Sequence, residues 1–199
     1  MTDDVYGQIH DNRHRGGSIL ADIDQTGDIK NRYFEIQKFN QRWIWILLIG
    51  GSVAAVAYFG YAMVQQLVHG QPWGDRPMSD LALAIVGPAT MLFMIGLTYF
   101  FYVMKLITEV RSDGLYIRFY PMSQRVISYE TITSCVPRKY SPIREYGGWG
   151  IRWGRSGRAY NVSGNQGVQL KLSDEKPLLI GSLRPGELAN AINAQRHDR

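Results

Sequence analysis

Two long runs without a formal charge constrain this chain more than any other feature. One extends from Trp43 to Gly74, the other from Leu81 to Met104. Each exceeds the roughly 20 apolar residues needed to cross a hydrocarbon core of ~30 Å at ~1.5 Å per helical residue. A soluble single-domain enzyme is therefore excluded as the default. The mean hydropathy of -0.19 hides this, because it averages apolar runs with a polar remainder.

Charge is divided along the chain. Residues 1–42 carry 6 Lys/Arg and 7 Asp/Glu, whereas residues 105–199 carry 15 and 8, a net +7. Lys30, Arg32, Lys38 and Arg42 precede the first run, and Lys105, Arg111 and Arg118 follow the second. The connection between the runs holds one cation, Arg76. Positive residues stay on the cytoplasmic side. Both termini are thus expected in the cytoplasm of a bacterial inner membrane, with loop 65–80 outside.

The spans are expected at 43–64 and 81–104. Trp43 and Trp45 at one end, with Tyr99 and Tyr102 on the returning helix, suit the headgroup region. Gly51 and Ala55 form a small-xxx-small pair that allows close helix packing. No Asp, Glu, Lys, Arg or His lies at depth, which argues against a transporter or channel. Residues 1–28 are polar and lack the pattern of a cleaved signal peptide; a mobile tail is expected. In 29–42, Ile29, Tyr33, Ile36, Phe39 and Trp43 follow steps of three and four. That spacing predicts a juxtamembrane helix, either an early start of the first span or an amphipathic helix lying on the leaflet.

Residues 105–195 change to period two. Ile107 and Val110, then Leu115, Ile117 and Phe119, flank an Asp113-Gly114 turn, a strong hairpin signal. Further strands are expected at 126–129, 131–137, 150–153, 158–162, 168–172 and 178–180. Pro185 and Glu187 then open a helix with Leu188, Ala189 and Ile192 on its apolar face. Residues 196–199 are expected as a tail. This predicts a small all-β barrel or sandwich covered by a C-terminal helix.

That order is similar to the pleckstrin-homology-like fold. The chain also resembles a prokaryotic family in which two spans precede a small β-domain of this kind. The residues that carry the resemblance are Thr108-Glu-Val-Arg-Ser-Asp-Gly-Leu-Tyr116, Pro142-Ile-Arg-Glu-Tyr-Gly-Gly-Trp-Gly-Ile-Arg152, Ala159-Tyr-Asn-Val-Ser-Gly164, Leu179-Ile-Gly-Ser182 and Arg184-Pro185. The resemblance covers roughly residues 35–195 and implies lipid or protein binding, with no activity attached.

The densest candidate surface is 138–160. Arg138, Lys139, Arg144, Arg152, Arg155 and Arg158 face one acid, Glu145, and are interleaved with Tyr140, Tyr146, Trp149, Trp153 and Tyr160. Guanidinium groups grip phosphates, and aromatic rings wedge at interfaces. Beside an anionic leaflet each cation is worth about 1 kcal/mol. Three readings stand side by side: a lipid-facing surface, a protein-docking surface, or a solvated outer face. In the last, Trp149, Ile151 and Trp153 are core and Arg152 points away. Nucleic acid is excluded by the moderate charge and the membrane tether.

No catalytic, cofactor or metal residues are expected. His10, His14 and His197 lie in tails, His69 lies in the outer loop, and a lone Cys135 on an apolar strand reads as core. The expected function is a non-enzymatic adaptor or accessory subunit that docks on a larger membrane complex, alone or as a homo-oligomer. The alternative is a lipid-binding or sensing module.

Overall fold

The computed structural model describes residues 20–23, 29–154 and 156–197. It divides into two compact units, Met1–Phe39 with Met104–Arg199, and Asn40–Val103.

The second unit is a helical hairpin. Helix α1 spans Arg42–Met63 and continues as a π-helical turn, Val64–Val68; α2 spans Asp80–Val103. Both are long and apolar enough to cross a membrane. Small residues bring them together. A Cβ on Gly51 would lie 2.8 Å from Met94 Cε, and one on Gly87 3.1 Å from Met63 Sδ. Between the helices the Ser52 hydroxyl lies 2.9 Å from that of Thr98, and both donate to helix carbonyls. Backbone oxygens thus satisfy these two hydroxyls, as an apolar setting requires.

The first unit is built from both flanks of the hairpin. Strands β1 (Leu20–Ile23), β2 (Ile29–Lys38), β3 (Lys105–Val110), β4 (Leu115–Tyr120) and β5 (Ser123–Ile127) form one antiparallel sheet in that order. The other sheet holds β6 (Ile132–Lys139), β7 (Gly150–Gly154), β8 (Gly157–Asn161), β9 (Gln166–Leu172) and β10 (Leu178–Gly181). Its order is β6-β9-β10-β8-β7, with β10 parallel to β8. A short helix α3 (Pro142–Tyr146) separates β6 from β7, and α4 (Pro185–His197) ends the unit. Neither sheet closes on itself among the described residues, so the expected barrel is two open sheets with a helix. The interior is apolar: Leu106, Ile117, Phe119, Leu170, Ile180, Leu188 and Ile192 are almost fully buried. Each contributes about 1.5–3 kcal/mol on burial.

Two expectations fail here. Residues 29–38 form a strand instead of a juxtamembrane helix, and the segment 20–23 of the expected tail pairs with it. The rest of that tail lies outside the described residues. In β2 the alternation is Tyr33, Glu35 and Gln37 inward, with Ile36 and Lys38 outward. The inward row is mostly polar and an apolar residue faces out. The hydrophobic pattern therefore hid the period of two and left a false helical stripe. The β-domain consequently begins before the spans and not at residue 105.

Candidate functional site

The basic-aromatic segment divides among three environments, and the strand register explains why. Paired residues on neighbouring strands share a face. Trp153 pairs with Arg158 and Ile151 with Tyr160, so all four lie on one face; Arg152 pairs with Ala159 on the other.

The second of these faces carries a small core of its own. Tyr140, Tyr146, Ala159 and Leu179 cluster there, the two rings edge to face with centroids 6.0 Å apart. Burial pushes the Tyr140 hydroxyl up to about 12. The loop holding these rings is pinned by Glu145. Its carboxylate accepts from the Ser141 backbone N–H at 2.7 Å and from Arg138 at 2.6 Å. Those donors, Ser141 first, hold its pKa below the usual carboxylate value. Arg138 also donates to the Tyr146 hydroxyl, so it is a structural cation. Gly147 ends α3 at φ 74°, a conformation glycine adopts without Cβ strain.

The first face bears the exposed aromatic group. Trp153 is 72% exposed, which sets aside the reading that puts it in the core. The cause is topological. β7 is an edge strand, while α4 packs over β6 and β9 at the opposite side of the sheet. Trp149 is half-buried, its indole N–H donating to the Gly164 carbonyl. The Arg158 guanidinium lies 4.6 Å from the Trp153 ring centroid and 4.8 Å from that of Tyr160. It is stacked between two rings, a cation–π arrangement that stiffens the exposed indole.

Helix α3 is held against β7. A Cβ on Gly154 would lie 2.1 Å from the Glu145 carbonyl oxygen, so only glycine allows this approach. On either side of the β7 edge the unit therefore presents Trp153, and Arg152 with the exposed Ile143 and Arg144; Lys139 is exposed on β6, at the other edge of the sheet. Arg155 lies outside the described residues. Of the other sequence-derived positions, Trp43, Tyr99 and Tyr102 are exposed on the hairpin, and Gly51 meets Met94. Ala55 and Trp45 are half-buried.

Sequence reading missed a second polar cluster. Glu35, 1% exposed, accepts from the Tyr33 hydroxyl, from the Ser182 hydroxyl at 2.7 Å and from the Leu183 backbone N–H at 2.7 Å. Arg184 lies over the Tyr33 ring, and Gln37 donates to the Gly181 carbonyl at 2.7 Å. Burial, and then Glu35, raise the Tyr33 hydroxyl pKa. Three polar residues at alternating positions, 33, 35 and 37, were the available signal.

Among the described residues no group of three or more His, Cys, Asp or Glu is placed to hold a metal ion. A family model described as a family of unknown function (DUF6141) matches residues 26–196. No curated protein and no solved structure matches the chain.

Proposed function

The chain belongs to that family of unknown function, and we propose that it is a two-span inner-membrane protein with both termini cytoplasmic. In this reading the β-unit is a non-catalytic, pleckstrin-homology-like module that binds anionic lipid headgroups at the membrane surface. The exposed Trp153, braced by Arg158, carries the proposal. A soluble surface gains little from a fixed, exposed indole, whereas the bilayer interface favours one. Across the β7 edge from it, Arg152 and Arg144 supply the charge that an anionic leaflet attracts. Two open sheets with a C-terminal helix support the fold assignment. The non-catalytic assignment draws on Cys135, which is buried, and on Glu35, whose oxygens are already engaged and sealed from solvent.

The test uses the full chain reconstituted in bilayers, with every Trp except Trp153 replaced by Phe. Spin-labelled lipid is expected to quench Trp153 in phosphatidylglycerol-containing bilayers and much less in pure phosphatidylcholine. The double reversal Arg144→Glu with Arg152→Glu should abolish the difference. Equal quenching in both lipids, or none, would refute lipid binding.

A second reading, the adaptor or accessory subunit, draws on a shallow apolar groove along the hairpin. It is lined by Trp45, Ile49, Val53, Ile95, Tyr99 and Tyr102, an apolar surface of the kind on which a partner's transmembrane helix packs. A stoichiometric membrane protein retained through purification in mild detergent, and lost in Val53→Trp, supports it.

A further inference from the structure

At the loop end of the helical hairpin lies a cavity of about 250 Å³. Tyr58, Gln66, Trp73, Asp75, Arg76 and Met78 are among the residues that line it. Gln66 builds its base. The buried side-chain amide donates to the Met78 carbonyl at 2.6 Å and to Asp80 at 2.8 Å, and its oxygen accepts from the Trp73 backbone N–H. One side chain thus folds the connection back over the helix ends. Trp73 packs edge-on against Tyr61, centroids 4.7 Å apart, and against Tyr58 at 6.5 Å.

Two charges remain unused. Asp75 and Arg76 are exposed neighbours of opposite sign, and neither makes a hydrogen bond or ion pair with another described residue. They share the cavity wall with aromatic rings. A carboxylate beside Trp and Tyr rings suits an ammonium group. A guanidinium suits a phosphate. The two charges sit on adjacent residues, and phosphate and ammonium are likewise near neighbours in an ethanolamine phosphodiester.

We propose that this cavity binds the zwitterionic headgroup of a membrane phospholipid. Arg76 takes the phosphate, and Asp75 takes the ammonium against the Trp73 and Tyr58 rings. The lipid source, as opposed to a soluble zwitterion, follows from position. The cavity lies where both apolar helices end, and Phe59, Ala62 and Leu83 give it an apolar wall on the helix side. The proposal rests on the helices spanning a bilayer, the first part of the function proposed above.

The test is native mass spectrometry of the full chain in detergent. The probes are phosphatidylethanolamine, phosphatidylglycerol, which has the phosphate without the ammonium, and soluble phosphoethanolamine. Phosphatidylethanolamine should be retained about fivefold or more over phosphatidylglycerol, the scale of one charge-assisted contact. Asp75→Asn should remove that preference and leave phosphatidylglycerol retention unchanged; Arg76→Gln should weaken both. Neither side chain makes a hydrogen bond or ion pair with a described residue, so both variants should unfold near the wild-type temperature. Equal retention of the two lipids, or an intact preference in Asp75→Asn, overturns the proposal. Displacement of the lipid by equimolar phosphoethanolamine overturns the lipid source. Retention of the chain in carbonate-washed membranes reports the spans separately, so a chain that stays inserted without discriminating lipids sinks this proposal alone.

Discussion

The Ser182 hydroxyl donates to the Glu35 carboxylate at 2.7 Å across 147 positions of sequence. With the Leu183 N–H it fastens β2, which precedes the hairpin, to the junction of β10 and α4. Removing a buried charged acceptor strands its donors. Glu35→Ala should cost about 1–3 kcal/mol, and Ser182→Ala about 1–2 kcal/mol. Amide exchange of the full chain should rise together in β2 and in Gly181–Leu183. A rise confined to β2 would contradict the fastening.

Glu145 should give the α3 loop a sensitivity to acid. Its carboxyl is held below the usual value near 4.5 by the Ser141 N–H and then by Arg138. A carboxylate with a depressed folded pKa stabilises the fold above its unfolded pKa, and that contribution is lost as pH falls through the folded value. Protection of the loop should hold from neutral pH to about 4.5 and decline below it. Glu145→Gln should flatten this profile, with weaker protection at neutral pH. A wild-type profile with no acid limb counts against the pin.

Cys135 should report global opening of the β-unit. Burial pushes its thiol from about 9 up to about 12, so the reactive thiolate is scarce at neutral pH. Labelling by a maleimide should be slower by about a thousandfold than in urea, where the thiol regains its ordinary acidity. It is the chain's single cysteine, so the readout needs no other substitution. Fast labelling of the folded chain would show that the β6–α4 contact opens locally.

The hairpin and most strands after Lys105 were legible because each repeats one signal. Uninterrupted apolar residues mark α1 and α2, and alternation around Asp113-Gly114 marks β3 and β4. β2 was not legible, because its inward row of Tyr33, Glu35 and Gln37 is satisfied by residues nearly 150 positions away. No local pattern encodes such partners. The site was half legible. Arg138, Arg152 and Arg158 were found as a group, but the division among a Glu145 pair, an exposed edge and an aromatic stack depends on register. The place of Trp153 stays open in the sequence for the same reason: alternation gives a face, and only the strand order says that nothing covers it.

The β-unit should fold without its hairpin if β2 is kept. β2 and β3 are antiparallel neighbours, and their last pair is Lys38 with Lys105. Everything between Phe39 and Met104 belongs to the other unit. Antiparallel neighbours can be joined by a tight two-residue turn. A chain running from residue 29 to Phe39, through Asn-Gly, and on from Met104 to residue 199 should be water-soluble and unfold cooperatively in urea. The fragment 104–199 lacks β2, which opens the β3 edge and leaves Leu106, Thr108 and Val110 uncovered beside Ser182 with no carboxylate partner. That fragment should be less stable by several kcal/mol, the sum of the lost apolar burial and the buried hydrogen bonds. Circular dichroism during urea titration compares the two, and equal midpoints and slopes would show that β2 is dispensable.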